Sequence, residues 1–372
     1  MGFKKKILSK SSSYSYYKDN YESLSSQIAA IKEENDKLKI DLKNANDDIF
    51  QLQNKYHELV KQNILNKLNN EEYSNLNLAI KTPNPKSERH WGDYFFALAL
   101  KKSFQKKGFN VVIHEVEDWY EHNFKADINI VLRGLTKYEP NFNEFNMMWN
   151  ISHPELVTRE EYELYDICFI SSEYYAKKLE SETKTVVRPL LQCTDPEVFY
   201  YSEDESLQED LLFVGMPRGV FREIVKDVME TDFEVSIYGT HWERFVDEKY
   251  IKGQFIPNNE LNKYYSSCKI LLNDHWEIMK ELDFPSNRLF DALACGTFII
   301  SDKIPSADTL FEGSVLTYEN VQDLNNKIEY YLSHDVERKK MAEKGKELVL
   351  KNHTFDNRVD EIIDYLKKLF ME

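Results

Sequence analysis

Two arginines, Arg218 and Arg222, stand four residues apart in the segment FVGMPRGVFRE, which follows the strand-like run LLFVG (211–215). A glycine at a strand end (Gly215), a turn, and two guanidinium groups at the opening of a helix suit a diphosphate. Free backbone N–H groups and cations there act on the same anion. The segment is neither a P-loop nor G-x-G-x-x-G, and from the motif alone both arginines could be solvated helix residues. A second constellation follows the run CKILLN, in DHWEIMKELDFPSNRLFDALACG. Asp283 and Asp291 are eight residues apart and bracket a Pro-Ser-Asn turn and a helix start. Asn287 and Arg288 fall in the first turn of that helix, where backbone N–H groups lack intrahelical partners. An acid one turn in, Asp291, can accept both hydroxyls of a ribose, as acids do in dinucleotide sites. Asp283 is equally readable as a cap. Together the two segments predict a nucleoside diphosphate site.

In open parallel sheets such residues sit past the carboxyl ends of strands, so alternating strands and helices must carry them. The sequence has that texture. LNLAI, NVVIHEV, DINIVL, NMMWNI and DICFI form one set of strand-like runs; LLFVG, FEVSIYG, CKILLN, TFIIS and SVLTY form a second. The acidic, turn-prone stretch CTDPEVFYYSEDESLQED (193–210) divides them. The expected organisation is an amino-terminal domain over 76–192, a carboxy-terminal domain over 205–350, and a final helix over 351–372 that packs back towards the first domain. Residues 1–20 read as a loose basic and polar start and 21–70 as a coiled coil. Leu24, Ile28, Ile31, Asn35, Leu38, Leu42, Ala45, Ile49, Leu52, Tyr56 and Leu59 follow alternating steps of four and three, with Asn35 the one polar member. Such a seam, with a single Asn to set register, predicts a parallel homodimer through 24–59.

The formal net charge of −16 over 372 residues argues against a nucleic-acid partner, which needs a Lys/Arg-rich face. The four cysteines lie far apart with no zinc-ligand spacing, which suits a reduced, cytoplasmic protein. No apolar run approaches the ~18 residues that span a bilayer. Lys4, Lys5, Lys6 and Lys10 allow at most peripheral contact with the inner face of a membrane.

DFPSNRLFDALACG resembles the donor-binding signature of the large glycosyltransferase group with two Rossmann-like domains: an acid, seven residues, a second acid, then Ala, a bulky apolar residue, Ala, any residue and Gly. Asp283 and Asp291 stand where that group more often has Glu. More closely, HWGDYFFALAL, WNISHPE, FVGMPRGVFRE, IYGTHW, LLNDHWEIMK and SNRLFDALACG together are similar to bacterial glycosyltransferases of the spore-maturation-protein-like, glycosyl transferases group 1 kind, over about residues 76–365. The resemblance implies a GT-B type α/β fold, two Rossmann-like domains with parallel sheets, here preceded by an N-terminal coiled-coil helix. It implies that Asp291 binds the ribose, that Asp283 and the backbone around Ser286 and Asn287 face the donor sugar, and that Arg218, Arg222 and Arg288 neutralise the diphosphate. Gly215 would admit the diphosphate to the backbone, Asn273 and His275 would line the donor cleft, and the base would lie near Phe255 and Ile256. Gly92 and Asp93 match the glycine loop that faces the acceptor, with His153 on the same rim.

Glycosyl transfer leaves charge on the departing diphosphate, which a metal or fixed cations must stabilise. The sequence has no D-x-D at a strand end, so the expected route is metal-free, with a nucleotide-diphosphate sugar as substrate and no cofactor. If the anomeric configuration inverts, Asp93 and His153 are the candidate bases; the acid spacing leans towards retention, and the choice stays open. The expected activity is sugar transfer to a surface glycan or a protein acceptor. The alternatives are a nucleotide-sugar 2-epimerase of the same fold and an inactive coiled-coil scaffold.

Overall fold

The computed structural model describes residues 2–369 apart from 122 and 218, with side chains from residue 13 onward. The chain divides into two compact units, Met1–Leu59 and Val60–Glu372.

The first unit belongs to a single helix, α1 (Gly2–Asn69). The loose start expected over 1–20 is therefore helical where it is described. SSSYSYYKDN contains no Gly or Pro, and side chains one turn apart pair along it: Ser15 donates to Asp19 at 3.4 Å and Lys18 lies 3.8 Å from Glu22. The side chains of Lys4, Lys5, Lys6 and Lys10 lie outside the described residues. No described helix is long and apolar enough to cross a membrane.

The second unit holds two six-stranded parallel sheets. The first contains β1 (Asn77–Lys81), β2 (Asn110–His114), β3 (Ile128–Arg133), β4 (Phe145–Asn150), β5 (Ile167–Ile170) and β6 (Val186–Pro189), in the order β2-β1-β3-β4-β5-β6. Its helices are α2 (Gly92–Lys106), α3 (Arg159–Tyr162) and α4 (Glu173–Glu182). The second contains β7 (Glu209–Val214), β8 (Ser236–Tyr238), β9 (Ile251–Gly253), β10 (Cys268–Asn273), β11 (Ile299–Ser301) and β12 (Val315–Thr317), in the order β12-β11-β10-β7-β8-β9. With it come α5 (Glu223–Met229), α6 (Leu261–Ser267), α7 (Glu277–Glu281), α8 (Asn287–Ala294), α9 (Ala307–Leu310), α10 (Val321–Ser333) and α11 (Asp335–Asn352). Every residue of β3 and β4 is buried, as expected of strands covered by helices on both faces.

Each sheet has one place where its order reverses, between β1 and β3 in the first and between β7 and β10 in the second. Crevices open at such points beyond the carboxyl ends. These are the sites where Lys81–Pro83 and Gly134, and Gly215 and Asp274, emerge.

The chain crosses between the domains twice. Thr194 on the outward pass pairs with Thr354 on the return, its N–H donating to His353 O at 3.0 Å. The last helix, α12 (Phe355–Leu369), buries Phe355, Val359, Ile362 and Leu366 in the core of the first domain, together with Ile64 and Leu68 from the end of α1. Arg358 holds both passes, donating to Leu191 O at 2.7 Å and contacting His353 Nδ1 at 2.6 Å. On the other side of the crevice, α7 and Phe284 of the second domain pack among Trp119, Tyr162 and Ile170 of the first. Ser172 Oγ donates to Leu282 O at 2.7 Å across this contact.

Candidate active site

The crevice of the second sheet is organised around Gly215, just past β7. Its φ of +152° lies outside the range favoured by other residues, and a Cβ there would sit 2.9 Å from Arg288 Nη2. Gly239 comes so close that a Cβ on it would lie 2.2 Å from Gly215 O. Trp242 Nε1 donates to that same carbonyl at 2.7 Å. The strand end is thus locked against its neighbours with a guanidinium directly over it.

Arg288 occupies the first turn of α8. Its Nη1 donates to Asn273 Oδ1 at 2.8 Å, and its guanidinium lies 5.7 Å over the Phe213 ring. Among the described residues it makes no ion pair with a carboxylate. Burial, with the neighbouring Arg222 cation, pushes it below its ordinary pKa.

Arg222 does something else. It too lies 5.7 Å from the centre of the Phe213 ring, and 5.6 Å from that of Trp276. Its Nε donates to Asp274 Oδ2 at 2.9 Å, its Nη2 to Asp274 Oδ1 and to Asp274 O at 3.1 Å, and its Nη1 to Met216 O at 3.4 Å. Both partners are almost fully buried. The expectation that Arg222 faces the diphosphate is corrected: its fork is committed to Asp274, 52 positions on, and it ties the turn after β7 to the end of β10. Arg218, the other half of the expected pair, lies outside the described residues.

The residues past β10 also differ from expectation. Asn273 is fully buried; its Nδ2 donates to Ser301 Oγ at 2.9 Å while its Oδ1 receives Arg288. It aims the arginine instead of lining the cleft. The His275 side chain is inaccessible, with Nδ1 2.6 Å from Asp302 Oδ1, and it too sits behind the cleft wall. Although burial raises Asp302, the adjacent His275 and Lys280 outweigh it and hold the carboxyl below its ordinary pKa.

The two acids of the signature part company. Asp283 has a φ of +60°, is buried, and its Oδ1 accepts from Ser306 N at 3.0 Å and Ser306 Oγ at 2.8 Å. It fixes the turn ahead of α9, so the expectation that it faces the donor sugar is corrected. Asp291, one turn along α8 from Arg288, opens onto a cavity of about 370 Å³. Its Oδ1 accepts from Thr194 Oγ1 at 2.8 Å and its Oδ2 from Asn287 Nδ2 at 2.7 Å. Burial pushes its pKa up to about 8, against the pull of those two hydrogen bonds. Asn287 Oδ1 is buried with no hydrogen-bond partner, leaving an acceptor beside the acid. Asn258 and Lys102 add polar groups to the cavity wall, and Phe95 and Phe199 supply its apolar side. Ser286 precedes α8 as its N-cap residue and makes no side-chain cap bond. Phe255 is exposed, with its ring centre 6.1 Å from that of His90, whereas Ile256 is buried.

At the crevice of the first sheet, Gly92 and Asp93 open α2, and Gly92 lines the cavity. A Cβ on Gly134 would lie 3.2 Å from Ser152 Oγ and 3.9 Å from Asp93 Oδ2. The ends of β3 and β4 and the start of α2 therefore converge there. His153, next to Ser152, has a φ of +51°; its Nδ1 is 2.9 Å from Glu155 Oε1, and its ring centre is 6.2 Å from that of Trp276 in the second domain. Glu155 accepting from Nδ1–H leaves Nε2 as the basic nitrogen.

Sequence reading passed over Asp274, Thr194, Asn258 and Glu155. Asp274 and Glu155 adjoin residues already singled out, and their acidic type was the available signal. Thr194 and Asn258 carry none without the fold. Among the described residues no three His, Cys, Asp or Glu side chains gather to hold a metal ion.

Residues 218–364 match the family model described as glycosyl transferase-like. A curated relative, spore protein CgeB of Bacillus subtilis (strain 168), is 25% identical over 170 residues, covering 41% of this chain and 52% of its own; the chain thus spans about half the length of that relative. Among solved structures, sucrose-phosphate synthase from Thermosynechococcus elongatus superposes with a TM-score of 0.60 at 11% identity, covering 80% of this chain and 99% of the other. A glycosyltransferase from Rickettsia africae superposes with a TM-score of 0.55 at 14% identity, covering 80% and 99%. The body has the GT-B fold, and its carboxy-terminal half carries a glycosyl transferase-like domain.

Proposed function

We propose that the protein transfers a sugar from a nucleoside diphosphate sugar to a surface glycan or a protein acceptor, without a metal ion. One observation carries this reading: α8 presents Arg288 beside the Gly215 backbone, and its Asp291, one turn later, and the unpartnered oxygen of Asn287 at a cavity. The spacing matches a diphosphate followed by a ribose. The diphosphate takes the place of the missing counter-ion of Arg288 and meets the free N–H groups at the start of α8. The ribose hydroxyls donate to Asp291 and Asn287.

As the sugar–phosphate bond breaks, its electron pair leaves with the diphosphate, and positive charge develops at the anomeric carbon. Arg288 is fixed by Asn273 before substrate arrives, so stabilising the departing charge requires little reorganisation. In an inverting transfer, a base at the first crevice takes the acceptor hydroxyl proton. His153, oriented by Glu155, and Asp93 both stand on that rim.

The test is calorimetric titration with a panel of nucleoside diphosphates and their sugars, alongside Arg288→Ala and Asp291→Ala. We expect binding of at least one donor by the unaltered protein and its loss in both variants while the fold persists. No affinity for any donor refutes the proposal. Donor consumption without an acceptor, yielding an isomerised nucleotide sugar in place of hydrolysis, refutes transfer in favour of epimerisation.

A further inference from the structure

The described part of the Met1–Leu59 unit leaves a long apolar stripe uncovered. Leu24, Ile31, Leu38, Leu42, Leu52 and Leu59 are each more than half exposed. The stripe extends further than its aliphatic members. Counting back from Leu24 in the same steps gives Tyr21, Tyr17 and Tyr14, whose rings are also exposed. Three of the four tyrosines of the helical SSSYSYYKDNY segment thus continue the seam, which runs from Tyr14 to Leu59 with Asn35 as its one amide.

We propose that this seam binds the same seam of a second copy as a parallel, in-register, two-stranded coiled coil. Assigning the heptad puts Tyr14, Tyr21, Ile28, Asn35, Leu42, Ile49 and Tyr56 at a, and Tyr17, Leu24, Ile31, Leu38, Ala45, Leu52 and Leu59 at d. Ile at a with Leu at d favours two strands, and an a-position Asn is best placed opposite its own copy. Charge selects the orientation. The charged g positions are Glu34, Asp41, Asp48 and Lys55, and the charged e positions are Lys18, Lys32 and Lys39. In a parallel pair each g faces the e′ five residues on, bringing Glu34 to Lys39 of the second copy, and Gln27, Asp41 and Asp48 to polar partners. In an antiparallel pair with the seam fully overlapped g faces g′ and e faces e′, so Glu34 meets Asp41 and Lys32 meets Lys39, while Lys55 and Lys18 face Asn20 and Gln53. Lys39 is 3.2 Å from Asp36 in its own chain, but both are largely exposed, so that contact is a weak competitor.

The four native cysteines are buried, so a cysteine introduced on the helix reports alone. In the full-length chain, Ile28→Cys should form a disulfide-linked dimer under mild oxidation, and sedimentation should give twice the chain mass. Glu34→Lys and Lys39→Glu should each weaken association by about tenfold, since each places two like-charge pairs across the seam. Mixing the two variants should restore it, because every pair in the mixed dimer is then opposite in charge. Leu38→Asp with Leu42→Asp should yield a monomer with an unaltered far-ultraviolet spectrum from the body. A monomeric native chain, a trimer, absence of the disulfide in the Ile28→Cys variant, or failure of the mixed charge variants to recover association overturns the proposal.

Discussion

The carboxyl edges of the two sheets carry similar residues in different states. At the edge of the second sheet, polar side chains are buried and hydrogen-bonded before any ligand arrives: Arg222 to Asp274, His275 to Asp302, and Arg288 to Asn273. The edge of the first has such a frame too, with Arg133 at the end of β3 buried against Glu161, but on its rim His153 and Glu155 are partly exposed, and Phe255 reaches over from the second domain to His90 on an exposed surface. A diphosphate and a ribose are common to many donors and reward a fixed frame. An acceptor is variable, and partly exposed rim residues suit it. The comparison teaches that burial, more than residue type, separates the groups that build a frame from those that perform chemistry.

The strongest way to break this distinction is to remove Arg222. If it is part of the frame, Arg222→Ala leaves the buried Asp274 carboxylate uncompensated, and the fold should lose about 3–5 kcal/mol, read as a large fall in the thermal midpoint. Arg222→Met with Asp274→Leu should recover most of that loss. A variant of normal stability with lost turnover would return Arg222 to the diphosphate. Arg288→Ala should behave in the opposite way, with turnover down about 100- to 1000-fold and stability almost unchanged, because no carboxylate is orphaned.

Much of this frame was legible in the sequence. Ten of the twelve strands coincide with apolar runs, since strands covered on both faces must be apolar throughout. The two passed over, VVRP and IKG, are short edge strands containing Pro, Lys or Gly. α8, with Arg288 and Asp291 one turn apart, followed from helix periodicity. The partners of the charged residues did not. Asp274 is 52 positions from Arg222, and Ser306 is 23 from Asp283, so only the fold shows that one arginine and one acid of the expected site are already occupied. The heptad was visible from Leu24, but the tyrosines ahead of it were hidden by a serine-rich, disordered-looking composition.

Asp291 sharpens the comparison because its burial works against its own charge. Its folded pKa, near 8, lies well above the usual 3.8, so its contribution to stability is complete below the ordinary carboxylate range and is lost as pH rises towards 8. Asp291→Asn should therefore raise the thermal midpoint, by about 2–4 °C per kcal/mol regained, and the gain over the unaltered protein should widen from pH 5 to pH 8. The same variant should lose donor affinity. In the unaltered protein a ribose that donates to the carboxylate favours its ionised form, so donor affinity should increase by up to about tenfold per unit between pH 6 and pH 8. An affinity independent of pH, or an Asn variant that is destabilised, would place the ribose elsewhere.

The smallest effect belongs to the first edge, where function rests on orientation. Glu155 acts through His153, so Glu155→Gln should lower kcat by about tenfold while leaving donor KM and the thermal midpoint near their original values. Combined with His153→Ala it should add nothing further, because both changes remove one unit. Additive losses would mean that Glu155 has its own role. Should Asp93→Asn abolish turnover while His153→Ala is nearly silent, proton transfer belongs to α2. The His153–Glu155 pair would then be part of the wall that Trp276 closes from the opposite domain.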